Sequence, residues 1–288
     1  MKPAPFDYFD PSTVDEVLDL LGDHGDDAVV IAGGQSLVPL LNLRLAQPGV
    51  VIDPRRCTDL RSFTVDGTGL TAGALVTAAE LETSREARTI PGLHDALRQL
   101  GHIQIRNRTT IGGSIAHADP AAELPALLLA LDGSVTLRSR ARGERVVSAD
   151  DLLVGSFMTA RESDELLTEV RLPRFGGAMT VVELGARPGD FATVGAIVGL
   201  AGLPGAVTDA RVVVFGAGGR AQRIGAAEAA LVGRATAEGL DDAVAAVRAG
   251  TEATGDAHAS ADYRRHVAGT LLGRAVRSVA GIPVGGTT

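Results

Sequence analysis

The chain has 288 residues, enough for one large or two ordinary domains with a substantial core. Lys plus Arg is 27 and Asp plus Glu is 35, a formal net charge of −8, and Trp is absent. A basic stripe or an aromatic stacking platform for nucleic acid is therefore not expected. A single cysteine, Cys57, excludes an internal disulfide and any thiolate-bound zinc or iron–sulfur centre within this chain.

The opening MKPAPFDYFD lacks a basic segment followed by an apolar one, so no secretory signal is read and a cytoplasmic protein is expected. Ser12-Thr13 followed by Val14, Val17, Leu18, Leu20 and Leu21 predicts a capped helix, with Gly22–Asp27 as a turn. Ala28–Ala32 reads as a buried strand. It ends in Gly33-Gly34-Gln35-Ser36, after which Leu37, Leu40, Leu41 and Leu45 recur at helical spacing. Pro39 fits only in a first turn, which starts that helix near Ser36. Val50–Asp53 is a second buried strand.

Beyond Leu60 the pattern gives a strand at Gly69–Ala74 and a capping-box helix from Thr77 to Glu80 onward. A helix carries Leu93, Ala96, Leu97 and Leu100, and a short apolar helix spans Leu124–Leu131. Strands follow near Val135–Leu137, Arg145–Val147 and Leu166–Leu172. Pro173–Gly177 is the expected domain boundary. Strands at Val181-Val182, Thr193–Gly199 and Val212–Phe215 and helices at Ala226–Leu231 and Tyr263–Val276 complete the chain. The uncharged run Phe191–Thr208 has four glycines and Pro204, so it reads as strand and turn and no membrane span is expected.

Two motifs point to chemistry. Gly33-Gly34-Gln35-Ser36 lies between a strand and a helix, where backbone N–H groups converge and glycine admits an anion close to the main chain. Thr110-Ile111-Gly112-Gly113-Ser114 is a second diglycine loop flanked by hydroxyls. Two such loops are suited to grip a dinucleotide pyrophosphate from opposite sides, with hydroxyls from Ser36, Thr110 and Ser114. A side chain at Gly33 or Gly113 is expected to enter the phosphate path. A third candidate, Val212–Phe215 followed by Gly216-Ala217-Gly218-Gly219-Arg220-Ala221, satisfies G-x-G-x-x-A. No second apolar strand with an acid follows at Gly233–Asp242, so this is read as a structural turn leading into a helix. His102, His117 and His258 lack ligand-spaced partners, Cys57 reads as a small apolar residue, and Arg264-Arg265 as solvated or interface charges. Asp119 and Glu123 read, on their own, as first-turn acids of a helix.

Together AGGQSLVPLLNLRLAQP (Ala32–Pro48) and IQIRNRTTIGGSIAHADPAAELPALLLAL (Ile103–Leu131) closely resemble the FAD-binding medium subunit of molybdenum hydroxylases. This is the carbon monoxide dehydrogenase medium-chain type, related to the xanthine dehydrogenase flavin domain. GDFATVGAI (Gly189–Ile197) and SADYRRHVAGTLLGRAV (Ser260–Val276) resemble its C-terminal domain. The resemblance implies an α+β chain: a PCMH/VAO-type FAD-binding domain over 1–175, of two α/β subdomains (about 1–57 and 58–175). A small flavoprotein-type α+β domain over 178–288 follows it. It further implies that Ala32, Gly33, Gly34, Gln35, Ser36 and Leu37, with Thr110, Ile111, Gly112, Gly113 and Ser114, contact FAD. Glu123 falls near the ribityl and flavin, and Leu166 and Phe191 near the ring. Glu183 matches a position where xanthine dehydrogenases carry a lysine, and Gln35 stands where many relatives have His.

By the same resemblance the chain is an electron-transfer subunit. Its partners are a small subunit with 2Fe-2S clusters and a large molybdopterin subunit, in a dimer of heterotrimers that serves an external electron acceptor. The substrate-oxidising base lies on another chain and no catalytic or metal-binding residue is assigned here. A stand-alone PCMH-type oxidase of a small alcohol is the alternative.

Overall fold

A computed structural model describes residues 2–282, so the expected domain ends at 1 and 288 lie outside the described residues. The elements in chain order begin with β1 (Asp7–Phe9), α1 (Val14–His24), β2 (Ala28–Val30), α2 (Leu37–Asn42) and β3 (Val50–Ile52). Then come β4 (Phe63–Val65), β5 (Gly69–Gly73), α3 (Ala78–Thr83), α4 (Leu93–Gln99), α5 (Ile103–Arg106), α6 (Ile111–His117) and α7 (Glu123–Ala130). β6 (Ser134–Ser139), β7 (Gly143–Ser148), α8 (Ala149–Leu152), β8 (Leu153–Gly155), β9 (Met158–Thr159) and β10 (Glu165–Pro173) follow. The last part holds β11 (Ala178–Gly185), β12 (Ala192–Ala201), β13 (Asp209–Phe215), β14 (Gln222–Arg223), α9 (Gly225–Leu231), α10 (Thr236–Gly250) and α11 (Ala261–Ala280).

The N-terminal unit is a parallel sheet in the order β1-β3-β2. Thr13 starts α1 with a capping box: its Oγ1 accepts from Glu16 N at 3.2 Å, and Glu16 Oε2 accepts from Thr13 N at 3.2 Å. Val14, Val17, Leu18 and Leu21 of this helix are buried with Val50, Ile52, Cys57 and Leu166. Two expectations need adjustment. The helix runs on to His24 and is followed by a 3-10 turn, so Gly22 is helical; β2 is only half-buried because it is the sheet edge, and β3 is the central strand. α2 starts where Pro39 required, but it is short, and Leu45 lies beyond it, 74% exposed.

The second unit is a five-stranded antiparallel sheet, β4-β5-β10-β6-β7. Its strands are therefore joined differently from the parallel first unit. The third is an antiparallel sheet, β11-β12-β13-β14, with α9, α10 and α11. The uncharged run beginning at Phe191 is mostly β12, a central strand, and no helix among the described residues is long and apolar enough to cross a membrane. After Phe215 the chain makes a hairpin, pairing Val213 with Arg223 and Val214 with Gln222. The G-x-G-x-x-A segment thus turns back into an antiparallel strand before α9 begins. α10 went unread in the sequence: its buried positions are Thr236, Gly239, Leu240, Ala243 and Val247, and small residues give little apolar contrast.

The units are not separated by an apolar gap. All eight residues of α7 are buried, and this helix packs on β12, β13 and β14 as well as on α4, α6 and α8. One core cluster consequently includes Leu124–Leu131 and, from beyond Pro173, Val181, Ile197, Val213 and Phe215. Paired residues of neighbouring strands share a face, so the row Glu183–Gly195–Phe215 lies on the face covered by α7 over β12 and β13 and by α4 over β11. Gly195 is required there: a Cβ would lie 2.5 Å from Phe215 Cε2. Gly195→Val is expected to destabilise the fold by about 3 kcal/mol through overpacking. Chemical unfolding of the variant with an unchanged midpoint would refute the contact.

Candidate functional site

The carboxyl end of β2 opens into the turn Ala32–Ser36 and then α2. The backbone N–H groups from Ala32 through Leu37 have no hydrogen-bond acceptor among the described residues. All six residues are partly exposed. Such a contiguous row of free donors at the start of a helix has the chemistry to receive an anion. Gly34 has φ +76, a conformation that glycine adopts without strain, and this lets the turn direct its amides outward. The Gly33 carbonyl is held by Gln35 Nε2 and Arg108 Nε, each at 3.3 Å.

The second motif meets the first directly. A Cβ on Gly33 would lie 2.9 Å from Arg108 C and 3.1 Å from Thr109 Cα, the residues that lead into Thr110. One on Gly113 would lie 3.3 Å from Ala32 Cβ. Two diglycine segments far apart in sequence are therefore packed backbone to backbone. The expectation about the substituents is corrected. A side chain at Gly33 points at Arg108, and one at Gly113 at Thr110 Oγ1 and Ala32, so each would separate the two segments.

The second motif is also not a loop. Thr110 is an N-cap whose Oγ1 accepts from Gly113 N at 3.1 Å, and Ile111–His117 is helical. Ile111 N donates to Val76 O, Gly112 N to Ala74 O and Ser114 N to Thr110 O, so this helix start has its amides occupied. Gly112 carries no side chain because Ala74 Cα would be 2.7 Å from its Cβ. The amides left free are those of residues 32–37, while residues 110–114 pack behind them.

Of the other expected site residues, Leu166 is buried in the cluster against which Ala32 packs. Phe191 is 65% exposed, at the end of the β11–β12 connection, whose Gly189 lies against His102 just before α5. Glu123 differs from a solvated first-turn acid: it is 4% exposed at the start of α7. Burial raises its carboxyl to about 8, and the carboxyls of Glu183 and Asp119 add to this. Burial likewise raises Glu183 to about 7, and its Oε2 is buried without a hydrogen-bond partner. The sequence offered no sign that either acid would be withdrawn from solvent.

Other candidates have structural roles. Cys57 is buried, its Sγ donating to Pro11 O at 3.7 Å, and burial pushes the thiol up to about 11. Arg264 is buried rather than solvated: its guanidinium bonds the Thr193 and Gly216 carbonyls and Asp256, while Arg265 pairs with Asp262. The glycine-rich turn is a joint between units, with Gly216 N donating to Pro120 O at 2.8 Å, Ser156 Oγ to Gly219 O at 3.0 Å and Arg220 to Asp150 at 3.0 Å. No group of three His, Cys, Asp or Glu residues placed to hold a metal occurs among the described residues.

An unfolded glutamate ionises near 4.5, and both the buried Glu123 and the half-buried Glu183 keep their protons to higher pH. The stability they lend is complete below 4.5 and is lost as pH rises through about 7 and 8. Thermal unfolding between about pH 5 and 9 should therefore show a steeper fall in wild-type Tm than in a Glu123→Gln/Glu183→Gln variant. Parallel curves would mean that neither acid is protonated in the folded state.

Comparison with known proteins is consistent with this geometry. Residues 4–175 match the model of the FAD binding domain in molybdopterin dehydrogenase, and residues 182–279 that of the CO dehydrogenase flavoprotein C-terminal domain. The chain is 42% identical, over 95% of its length and 94% of that protein, to the 6-hydroxypseudooxynicotine dehydrogenase complex subunit alpha of Paenarthrobacter nicotinovorans. It is 34% identical to the caffeine dehydrogenase subunit beta of a Pseudomonas species, over 97% of this chain and 96% of that one. A solved structure of carbon monoxide dehydrogenase from Hydrogenophaga pseudoflava superposes with a TM-score of 0.93 at 36% identity, covering 98% of this chain and 99% of that chain. The chain belongs to the family of FAD-binding medium subunits of molybdenum hydroxylases.

Proposed function

We propose that this chain is the FAD-carrying electron-transfer subunit of a multisubunit molybdenum hydroxylase, taking electrons from iron–sulfur clusters on a partner and passing them to an external acceptor. The observation that carries the reading is the row of unpaired amides at residues 32–37, lying against the second glycine segment. FAD, when bound, supplies the redox centre that this chain's own side chains lack.

The protein's part is binding and placement. The amides of Ala32, Gly33, Gly34, Gln35, Ser36 and Leu37 donate to the pyrophosphate. Thr110, Ile111, Gly112, Gly113 and Ser114 set the width of the groove, with Ser114 offering a hydroxyl. Glu123, Leu166 and Phe191 lie toward the ribityl and ring, Glu123 as a buried acid and Phe191 as an exposed aromatic edge. A small 2Fe-2S subunit and a large molybdopterin subunit complete a dimer of heterotrimers in the cytoplasm. The similarity runs end to end with proteins named as subunits of dehydrogenase complexes, which favours this over a stand-alone alcohol oxidase.

Gly33→Ala tests the cradle. Its methyl group would meet the Arg108 main chain, whereas Gly67 has open space around it, so Gly67→Ala is a matched control. The FAD-to-protein ratio, read from absorbance of the purified complex, should fall in Gly33→Ala, with affinity down about tenfold or more, equivalent to about 1.4 kcal/mol. Gly67→Ala should keep its flavin. Full occupancy in Gly33→Ala would remove the assignment of residues 32–37 to the pyrophosphate.

A further inference from the structure

The turn after β2 is held by main-chain bonds at both ends and not at its centre. On the strand side Ile31 N donates to Ile52 O at 2.8 Å. On the helix side Val38 N donates to Gly34 O at 3.0 Å and Leu40 N to Ser36 O at 3.3 Å. No such bond holds the peptide that joins Gly33 to Gly34. Among the described residues its carbonyl accepts from no backbone N–H, and its own N–H is one of the free donors. Gly34 has φ +76 and neither flanking residue has a Cβ, so rotation of this peptide meets little steric resistance.

Two side chains hold it instead. Gln35 Nε2 donates to Gly33 O from within the turn, and Arg108 Nε donates to the same oxygen from 75 positions further along, each at 3.3 Å. The base of Arg108 is anchored in the second unit. Its N donates to Ile105 O at 3.0 Å, and the next residue, Thr109, accepts at its carbonyl from Ala78 N at 2.9 Å. The Arg108 main chain also lies against Gly33, where a Cβ would be 2.9 Å from Arg108 C. Among the described residues the Arg108 guanidinium has no ion pair and no other hydrogen bond, and the Gln35 amide has no other partner. The Gly33 carbonyl is the one polar group that the two side chains serve.

The direction of a carbonyl fixes that of the N–H across the same peptide. This peptide is trans, so Gly34 N–H points away from Gly33 O. With the carbonyl drawn toward Arg108 and Gln35, the amide is turned to the opposite side, and donors on the oxygen also polarise the N–H. Rotated by half a turn, the same peptide would present an oxygen in place of the N–H and would repel an anion there.

We propose that Arg108 and Gln35 are positioning residues that clamp Gly33 O and so keep the Gly34 amide turned toward the FAD pyrophosphate. The inference rests on the assignment of residues 32–37 to that group. Arg108 acts here through a carbonyl, and not as the counter-charge of the phosphates. The anion affinity of the first glycine segment therefore depends on a side chain delivered by the strand of chain that leads into the second.

The test uses the purified complex, stripped of its flavin and titrated with FAD. Gln35→Leu and Arg108→Met should each weaken FAD binding by about threefold to tenfold, the range for loss of one hydrogen bond. The loss in Arg108→Met should be the same at low salt and in about 0.5 M salt, because a bond to a neutral carbonyl is not screened as an attraction between charges is. At FAD saturation the phosphorus-31 resonances of the bound pyrophosphate should be displaced from their wild-type positions in both variants. Gln35→Leu gives up no bond between the two glycine segments, so it carries the test if Arg108→Met does not fold. Wild-type affinity in either folded variant, or unchanged phosphorus resonances, overturns the clamp. A loss in Arg108→Met that disappears at high salt also overturns it, since Arg108 would then act as a charge. A wild-type complex that takes up no FAD refutes the flavin reading itself, whereas FAD held equally by wild type and variants leaves that reading in place and removes the clamp alone.

Discussion

The absence of a side chain at Gly33 is the constraint on which the site depends. It lets the turn after β2 rest on the Arg108–Thr109 main chain, and so brings the unit of the parallel N-terminal sheet against the segment that leads into α6. Other glycines at the site admit close contacts of their own. Gly113 faces Ala32, Gly112 seats the start of α6 on Ala74, and Gly34 bends the turn so that its amides remain free. Close main-chain packing, rather than any single charged group, creates the electropositive lining, since the donors are peptide dipoles held in place by the fold.

Much of this was legible in the residues because the signals were local. Capping boxes at Thr13 and Thr77 define two helix starts, and Pro39 limits where α2 begins. The apolar block at Leu124–Leu131 announced a buried helix. Two diglycine segments in order pointed to a dinucleotide, and the missing strand after Ala221 set the G-x-G-x-x-A segment aside.

What was not legible depends on neighbours remote in sequence. The second diglycine segment looks like a loop until Thr110 is seen to cap a helix through it. α10 buries Ala and Gly, whose small side chains carry little apolar contrast, and Gly239 lies 3.2 Å, by its missing Cβ, from Leu231 Cα. Arg264 resembles a surface cation in sequence, yet it is enclosed by carbonyls from β12 and the turn after β13. The burial of Glu123 at the start of α7 is set by the sheet that covers this helix, and no local spacing encodes it.

The enclosure of α7 has a bearing on how this protein can be divided. A helix belonging by sequence to the flavin-binding half is covered on one side by β12, β13 and β14 of the other half. Cutting the chain at the Pro173–Gly177 junction would bare Leu127, Leu128 and their neighbours to water, and would leave Phe215 uncovered on the opposite fragment. The two halves are therefore poor candidates for exchange between relatives as interchangeable modules. A hybrid that kept α7 together with the sheet it packs on would respect the real seam of the molecule.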